Sequence, residues 1–249
     1  MGLAAGRGVV VTLPTYNERE NLEPIATAIL AALPEAILLV VDDDSPDGTG
    51  ALADTLATRE ARVHVLHRPG KQGLGAAYRD AFRWALDRPD TRAVVQMDAD
   101  FSHDPRDLPR LLAPLMTGSD LVLGTRYMRG GGTVGWPMRR QLVSRAGTAF
   151  ARATLLLPYR DLTGGFKAWR RDLLDAIRMR QASASGYGFQ IETTWWAHRR
   201  RAVVTQVPII FRERVAGYSK MTGGIIREAL GLVLRLRLEA IREAFRRSE

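Results

Sequence analysis

The chain has 249 residues, with 36 Lys and Arg against 27 Asp and Glu, so a net charge of +9 that arginine carries almost alone. That length suits one α/β domain with a full core, and the positive balance calls for an anionic partner: nucleic acid, an anionic membrane or a phosphorylated substrate. The absence of cysteine excludes disulfides, thiolate metal sites and thiol nucleophiles.

Residues 1–8 lack the apolar stretch of a signal peptide, and residues 9–13 form a β-branched run that reads as a strand. A polar turn comes next, then an apolar periodicity over 22–33 that suits a helix. The unit repeats. Residues 37–41 read as a strand ending in Asp42-Asp43-Asp44, 49–58 as a helix, 63–67 as a strand and 73–86 as a helix. Residues 93–97 form a fourth strand ending in acid, 108–116 a helix and 120–124 a fifth strand. This alternation implies an α/β fold with a doubly wound, mostly parallel sheet. After Gly124 come a glycine-rich stretch over 126–137, an amphipathic stretch over 141–157 and loops. One domain is expected over 1–220, with 221–249 forming a C-terminal amphipathic basic helix. No window reaches the roughly 18 to 20 apolar residues that span a bilayer, so any membrane contact is expected to be peripheral.

In doubly wound sheets ligands sit beyond the carboxyl ends of the strands. Three of those ends carry Tyr16-Asn17-Glu18, Asp42-Asp43-Asp44 and Asp98-Ala99-Asp100, so acids from distant sequence are expected to face one crevice. Asp98 and Asp100 can reach one cation, and Mg²⁺ or Mn²⁺ accepts such carboxylates together with substrate phosphates. Their alternative role is to cap the helix that starts near Asp107. Three consecutive acids at 42–44 repel one another unless donors or a ligand offset the charge. Asp42 is read as accepting from a ribose or base, Asp47 as a turn residue, and Tyr16 as stacking on a base. The segment Gly70-Lys71-Gln72-Gly73-Leu74-Gly75 lacks the Ser or Thr and the first glycine of a phosphate loop, so its glycines are read as easing a tight helix start.

Together the strand-end motifs resemble those of the inverting glycosyltransferases of family two, and within them the dolichol-phosphate (polyprenol-phosphate) mannose synthases. Three later stretches carry the narrower resemblance: Gly124-Thr125-Arg126-Tyr127, Asp161-Leu162-Thr163-Gly164-Gly165-Phe166, and the run from Phe211 through Arg214 to Lys220. The resemblance covers about residues 9–220. It implies a glycosyltransferase A-type nucleotide-binding fold that transfers mannose from GDP-mannose to a polyprenyl monophosphate with inversion. A glucosyltransferase acting on a polyprenyl phosphate is the alternative.

Carried over position by position, the resemblance implies that Pro14, Tyr16, Glu18, Val40 and Asp42 contact the nucleoside. Asp98, Ala99 and Asp100 would lie along the diphosphate, with Asp98 and Asp100 holding Mg²⁺ or Mn²⁺. Some members have Gln where Ser102 stands, so the third ligand here is Ser102 or water. Arg126, Arg140, Arg214 and Lys220 would receive the pyrophosphate and the lipid phosphate, and the stretch with Gln190 and Glu192 would lie near the acceptor. Arg126 and Arg214 also come after strand ends, where a guanidinium fork suits phosphate oxygens. Asp100, Arg126 and Arg214 are assigned the catalytic roles.

His64, His67, His103 and His198 lack ligand spacing and are read as structural. A phosphate monoester is largely dianionic at neutral pH and needs little help from a base. Acids converging on the crevice argue against a nucleic-acid partner. On a helical wheel from residue 225, Glu228, Arg235, Glu239, Arg242 and Arg246 form one charged stripe on an otherwise apolar helix. That helix either lies in a membrane interface or packs on the domain or a partner subunit. The expected location is cytoplasmic and peripheral on the inner face of the cell membrane, reached directly or through a separate membrane protein.

Overall fold

A computed structural model describes residues 2–178, 187–213 and 223–246. The elements run β1 (Val9–Thr15), α1 (Arg19–Ala32), β2 (Ile37–Asp42), α2 (Thr49–Arg59), β3 (Val63–His67), α3 (Leu74–Leu86), β4 (Ala93–Gln96), α4 (Leu108–Met116) and β5 (Leu121–Thr125). The second half adds β6 (Gly132–Val134), α5 (Met138–Leu155), β7 (Lys167–Arg170), α6 (Arg171–Arg178), α7 (Tyr187–Arg199), β8 (Val204–Pro208), β9 (Ile210–Arg212) and α8 (Gly223–Arg246).

Among the described residues, seven strands form one sheet in the order β3-β2-β1-β4-β7-β5-β8, and β6 pairs with β9 in a separate parallel ribbon. The order turns back between β1 and β4, which places the switch point of the sheet at their carboxyl ends. Register aligns those ends: Thr15 lies opposite Asp42, and Thr12 opposite Gln96. The loops after β1, β2 and β4 therefore meet above one edge.

The first-half strands read as continuous apolar runs because helices cover both faces of the sheet. Val9, Val11 and Leu13 pack with Leu22, Ile25, Ile29, Leu111 and Leu112 on one side. Val10, with Leu39 and Val41, packs with Tyr78, Phe82, Trp169, Phe189 and Trp195 on the other. This is the two-residue period of a strand buried on both faces.

The loops expected after residue 157 instead contain β7, which runs antiparallel to both β4 and β5. It is only four residues long and begins at a charged residue, Lys167, so it carries no apolar strand signal. Long-range bonds hold it. Trp169 Nε1 donates to Gln96 Oε1 at 2.6 Å across the β4–β7 ladder, and both residues are fully buried. The C-terminal helix divides its apolar residues between two faces. Leu232, Val233 and Leu236 are buried in the core, whereas Leu230, Leu234, Leu238, Ile241 and Phe245 are exposed.

Trp169→Phe keeps most of the apolar volume but strips Gln96 Oε1 of its donor. A buried acceptor left unpaired costs about 1–3 kcal/mol. Urea unfolding is expected to show a loss of that size, and an unchanged midpoint would show that the bond is dispensable.

Candidate active site

The loops after β1 and β2 are tied to each other. Glu18 N–H donates to Thr49 Oγ1 at 3.0 Å and Asn17 N–H to Ser45 Oγ at 3.1 Å. Asp42 is 2% exposed and accepts from Thr15 Oγ1 at 3.0 Å, Ser45 Oγ at 2.6 Å and Ser45 N–H at 3.0 Å. Its carboxylate thus organises the turn, and Asp43 is the acid of the triplet that reaches the cavity wall. Burial pushes the Asp43 carboxyl up in pKa, against the opposing pull of the Arg68 guanidinium paired with it. Arg68 also pairs with Asp80 at 2.8 Å. Lys71 lies over the Tyr16 ring, 4.1 Å from its centroid.

Beyond β4 the chain makes a tight loop through Phe101, whose φ of 58° is left-handed. Asp98 N–H donates to His103 Nδ1 at 3.2 Å, and Ser102 N–H donates to Asp100 Oδ1 at 3.1 Å. Asp98 keeps 29% of its side chain exposed, while Asp100 is 2% exposed at the cavity wall. His103 is buried, stacked on Phe166 at 4.8 Å and edge-on to Phe211 at 5.2 Å. Burial lowers its pKa, so the ring is neutral at pH 7, and an accepting Nδ1 puts its proton on Nε2.

The facing wall is built on a buried ion pair. Arg126 donates to the Asp161 carboxylate from Nε at 2.7 Å, Nη2 at 2.8 Å and its backbone N–H at 3.1 Å, and Nη2 also reaches Thr163 Oγ1 at 2.8 Å. Burial alone would raise the Asp161 pKa, but the Arg126 charge and these bonds hold it below the ordinary carboxylate value. Arg140 stacks 4.0 Å over the Trp136 ring and pairs with Glu213 at 2.6 Å.

One cavity of about 460 Å³ connects these groups. Tyr16, Glu18, Asp43 and Lys71, from the segments that follow β1, β2 and β3, line it together with Asp98, Ala99, Asp100, Arg126 and Arg140. Val143, Phe150, Ile191, Leu230 and Val233, from α5, α7 and α8, add apolar side chains to its wall. Asp98 and Asp100 offer hard carboxylate oxygens, and among the described residues no group of three or more His, Cys, Asp or Glu could hold a metal by itself. Such a donor set fits Mg²⁺ or Mn²⁺ completed by phosphate and water rather than a closed protein cage.

The sequence pattern of the glycosyl transferase family 2 matches residues 10–178. The chain belongs to this family. It is 48% identical over 222 residues to the polyprenol monophosphomannose synthase of Mycolicibacterium smegmatis, covering 89% of this chain and 83% of that one. It is 47% identical over 238 residues to the undecaprenyl-phosphate mannosyltransferase of Micrococcus luteus, covering 96% and 97%. The Mycobacterium tuberculosis glucosyl-3-phosphoglycerate synthase solved with Mn²⁺, uridine diphosphate and phosphoglyceric acid shares the fold. Its TM-score is 0.70 at 24% identity, over 95% of this chain and 81% of that one. The same synthase solved with Mg²⁺ and uridine diphosphate gives 0.68 at 25% identity, over 94% and 81%. The expected α/β nucleotide-binding fold and the expected enzyme class, a glycosyltransferase, both hold.

Of the residues singled out from sequence, Pro14, Tyr16, Glu18, Asp98, Ala99, Asp100, Arg126 and Arg140 line the cavity of this transferase. Val40 does not: its side chain is fully buried in the core beneath the site. Asp42 faces its own turn, and the Ser102 hydroxyl is buried away from the wall without a hydrogen-bond partner. Arg214 and Lys220 lie outside the described residues. The sequence reading missed Asp43, Lys71, Trp136 and Thr163 on the cavity wall, and Asp161 behind it. A Ser three residues after Asp42 is the turn signal that could have redirected attention to Asp43. Gln190 is also on the wall, 1% exposed, with neither end of its amide hydrogen-bonded. It stands across Gly165 from Asp98: a Cβ added there would sit 3.5 Å from Gln190 Nε2 and 3.7 Å from Asp98 Oδ1.

The α7 turn that carries Gln190 is held from below by Lys167. Its Nζ donates to the Gln190 carbonyl at 2.7 Å and to Thr194 Oγ1 at 2.9 Å, and burial lowers its pKa to about 7, against the opposing field of Asp161. In the unfolded chain the ammonium returns to its ordinary value, 10.5. Between about pH 7 and about pH 10 the unfolded state therefore binds the extra proton, so this residue makes stability rise with pH across that window. Lys167→Met is expected to flatten the rise in chemical unfolding measured over this range. Identical slopes in variant and wild type would contradict the lowered pKa.

Proposed function

We propose that the enzyme transfers mannose from GDP-mannose to a polyprenyl monophosphate, inverting the anomeric carbon and giving polyprenyl-phosphate mannose. The observation that carries this reading is that one cavity combines three kinds of wall: the carboxylates of Asp98 and Asp100, the guanidinium groups of Arg126 and Arg140, and apolar side chains of α5, α7 and α8. A metal-bound nucleotide diphosphate, a lipid phosphate and an isoprenoid chain need those three environments together. The names of the two relatives that are almost half identical speak for mannose as the sugar and a polyprenyl phosphate as the acceptor.

Asp98 and Asp100 would hold Mg²⁺ or Mn²⁺, which when bound neutralises the charge that develops on a departing diphosphate. Tyr16, backed by Lys71, offers a ring for the base. An oxygen of the acceptor phosphate attacks the anomeric carbon as the bond to the diphosphate breaks, and that electron pair leaves on GDP. The attacking oxygen is already anionic, so no proton has to be removed. This agrees with a site whose histidine, His103, is buried behind Asp98 and neutral. Arg140 would draw the acceptor phosphate inward. Arg126 contributes a fixed positive edge whose orientation Asp161 and Thr163 set before substrate arrives, so no reorganisation is needed at the moment of transfer. Arg214 and Lys220, in the stretch that precedes α8, complete the proposed acceptor set.

Among the described residues no helix is long and apolar enough to cross a membrane. The exposed row Leu230, Leu234, Leu238, Ile241 and Phe245 on α8 supports peripheral work at the inner membrane face, with α8 packed on the domain by its other side.

Asp100→Ala is expected to lower turnover by at least about 10²-fold, the scale of losing one electrostatic stabiliser of the leaving group. The companion measurement is a donor panel with a polyprenyl phosphate acceptor. Mannose transfer from GDP-mannose with little from UDP-glucose supports the proposal, and preferred glucose transfer would refute it.

A further inference from the structure

Helix α5 has a second face, turned away from the catalytic cavity. Met138, Leu142, Arg145, Ala149 and Arg152, with Leu156 at the helix end, recur at helical spacing along it. A separate cavity of about 380 Å³ opens there, lined by Tyr127, Arg145, Thr148, Ala149, Arg152 and Arg160.

Half of that lining is arginine. None of the three pairs with a carboxylate among the described residues: Arg145 meets only the Tyr127 ring, 5.4 Å from its centroid. The loop bearing Arg160 is held by its backbone N–H, which donates to Gln206 Oε1 at 2.7 Å. Thr148 is 3% exposed, and its Oγ1 has no hydrogen-bond partner. A solvated arginine face would explain Arg145 and Arg152, but not a third arginine brought in from another segment around a buried, unpartnered hydroxyl. An anion with several acceptor oxygens answers both features. Guanidinium forks match phosphate oxygens, and the Thr148 hydroxyl can donate to one of them.

The surroundings choose between a free phosphate and a lipid phosphate. Met138, Leu142 and Leu156 are 82%, 70% and 66% exposed and bracket Arg145 and Arg152 on the same helical face. A soluble phosphate gives these apolar side chains nothing to bury against. A lipid does, since they would enter the acyl boundary while the arginines stay at headgroup depth. We propose that the Arg145–Arg152–Arg160 cavity seats the headgroup phosphate of an anionic phospholipid, as a second phosphate site separate from the catalytic one. It rests on the reading that the enzyme works at a membrane, but not on the identity of the sugar or the acceptor.

The test is flotation of the full chain with vesicles of phosphatidylcholine alone or mixed with phosphatidylglycerol, with wild type beside the triple variant Arg145→Gln, Arg152→Gln, Arg160→Gln and the single variant Thr148→Val. Each basic group near an anionic surface contributes several-fold in partitioning, so the triple variant is expected to lose at least about tenfold on the mixed vesicles. Thr148→Val should lose part of that, and the triple variant should keep wild-type transfer to a short-chain, water-soluble acceptor, which shows that it is folded. Equal flotation of wild type and triple variant would overturn this inference and leave the membrane reading standing. No flotation of wild type on either vesicle would overturn both. Thermal stabilisation of wild type, but not of the triple variant, by inorganic phosphate without arginine-dependent flotation would overturn the lipid assignment in favour of a free phosphate.

Discussion

Arg126 and Asp161 are both almost out of contact with water, and either charge would be strongly unfavourable there without the other. Three hydrogen bonds join them across 35 residues of sequence, and through them the end of β5 is fixed to the loop that leads into β7. That connection gives the candidate active-site cavity its second wall. β7 then runs back between β4 and β5, so the turn carrying Asp98 and Asp100 stands beside a wall whose guanidinium cannot swing.

The arginines of the cavity stand beside an aromatic side chain, with Arg126 about 5.2 Å from the Trp136 ring centroid and Arg140 at 4.0 Å. Helices α5, α7 and α8 add apolar side chains to the wall. Lys167 is the hidden support beneath α7. Among the described residues β7 is the strand that runs against the rest of its sheet, and there the Lys167 amine meets the Gln190 carbonyl and Thr194 Oγ1 of α7, the field of Asp161 and, 5.7 Å away, the Trp169 ring. Gln190 is therefore presented to the cavity by its backbone, with its amide left for a ligand.

Much of this was legible in the chain itself. Strands β1, β2 and β4 are buried on both faces, so they read as apolar runs, and acids placed abruptly at their ends stand out. The region beyond residue 125 was not legible for the opposite reason. β7 starts with a lysine whose partners arrive more than 20 residues later, and no local pattern announces that bond. Asp161 looked like part of a motif with no role of its own, because its partner lies far upstream. Asp42 and Asp43 show a finer limit: sequence marks three acids, but the hydroxyls of Thr15 and Ser45 decide that Asp42 turns inward and Asp43 outward. For α8 the wheel offered a membrane face or a packed face; the helix packs Leu232, Val233 and Leu236 on the domain and leaves Leu234, Leu238 and Phe245 exposed.

Asp98 and Asp100 are proposed to hold the divalent cation against a nucleotide diphosphate. Anomalous diffraction at the manganese edge, from crystals grown with Mn²⁺ and GDP, addresses it most directly. One peak is expected about 2 Å from carboxylate oxygens of both residues and in contact with the diphosphate. A diphosphate bound in the cavity with the peak elsewhere, or with no peak, would contradict it.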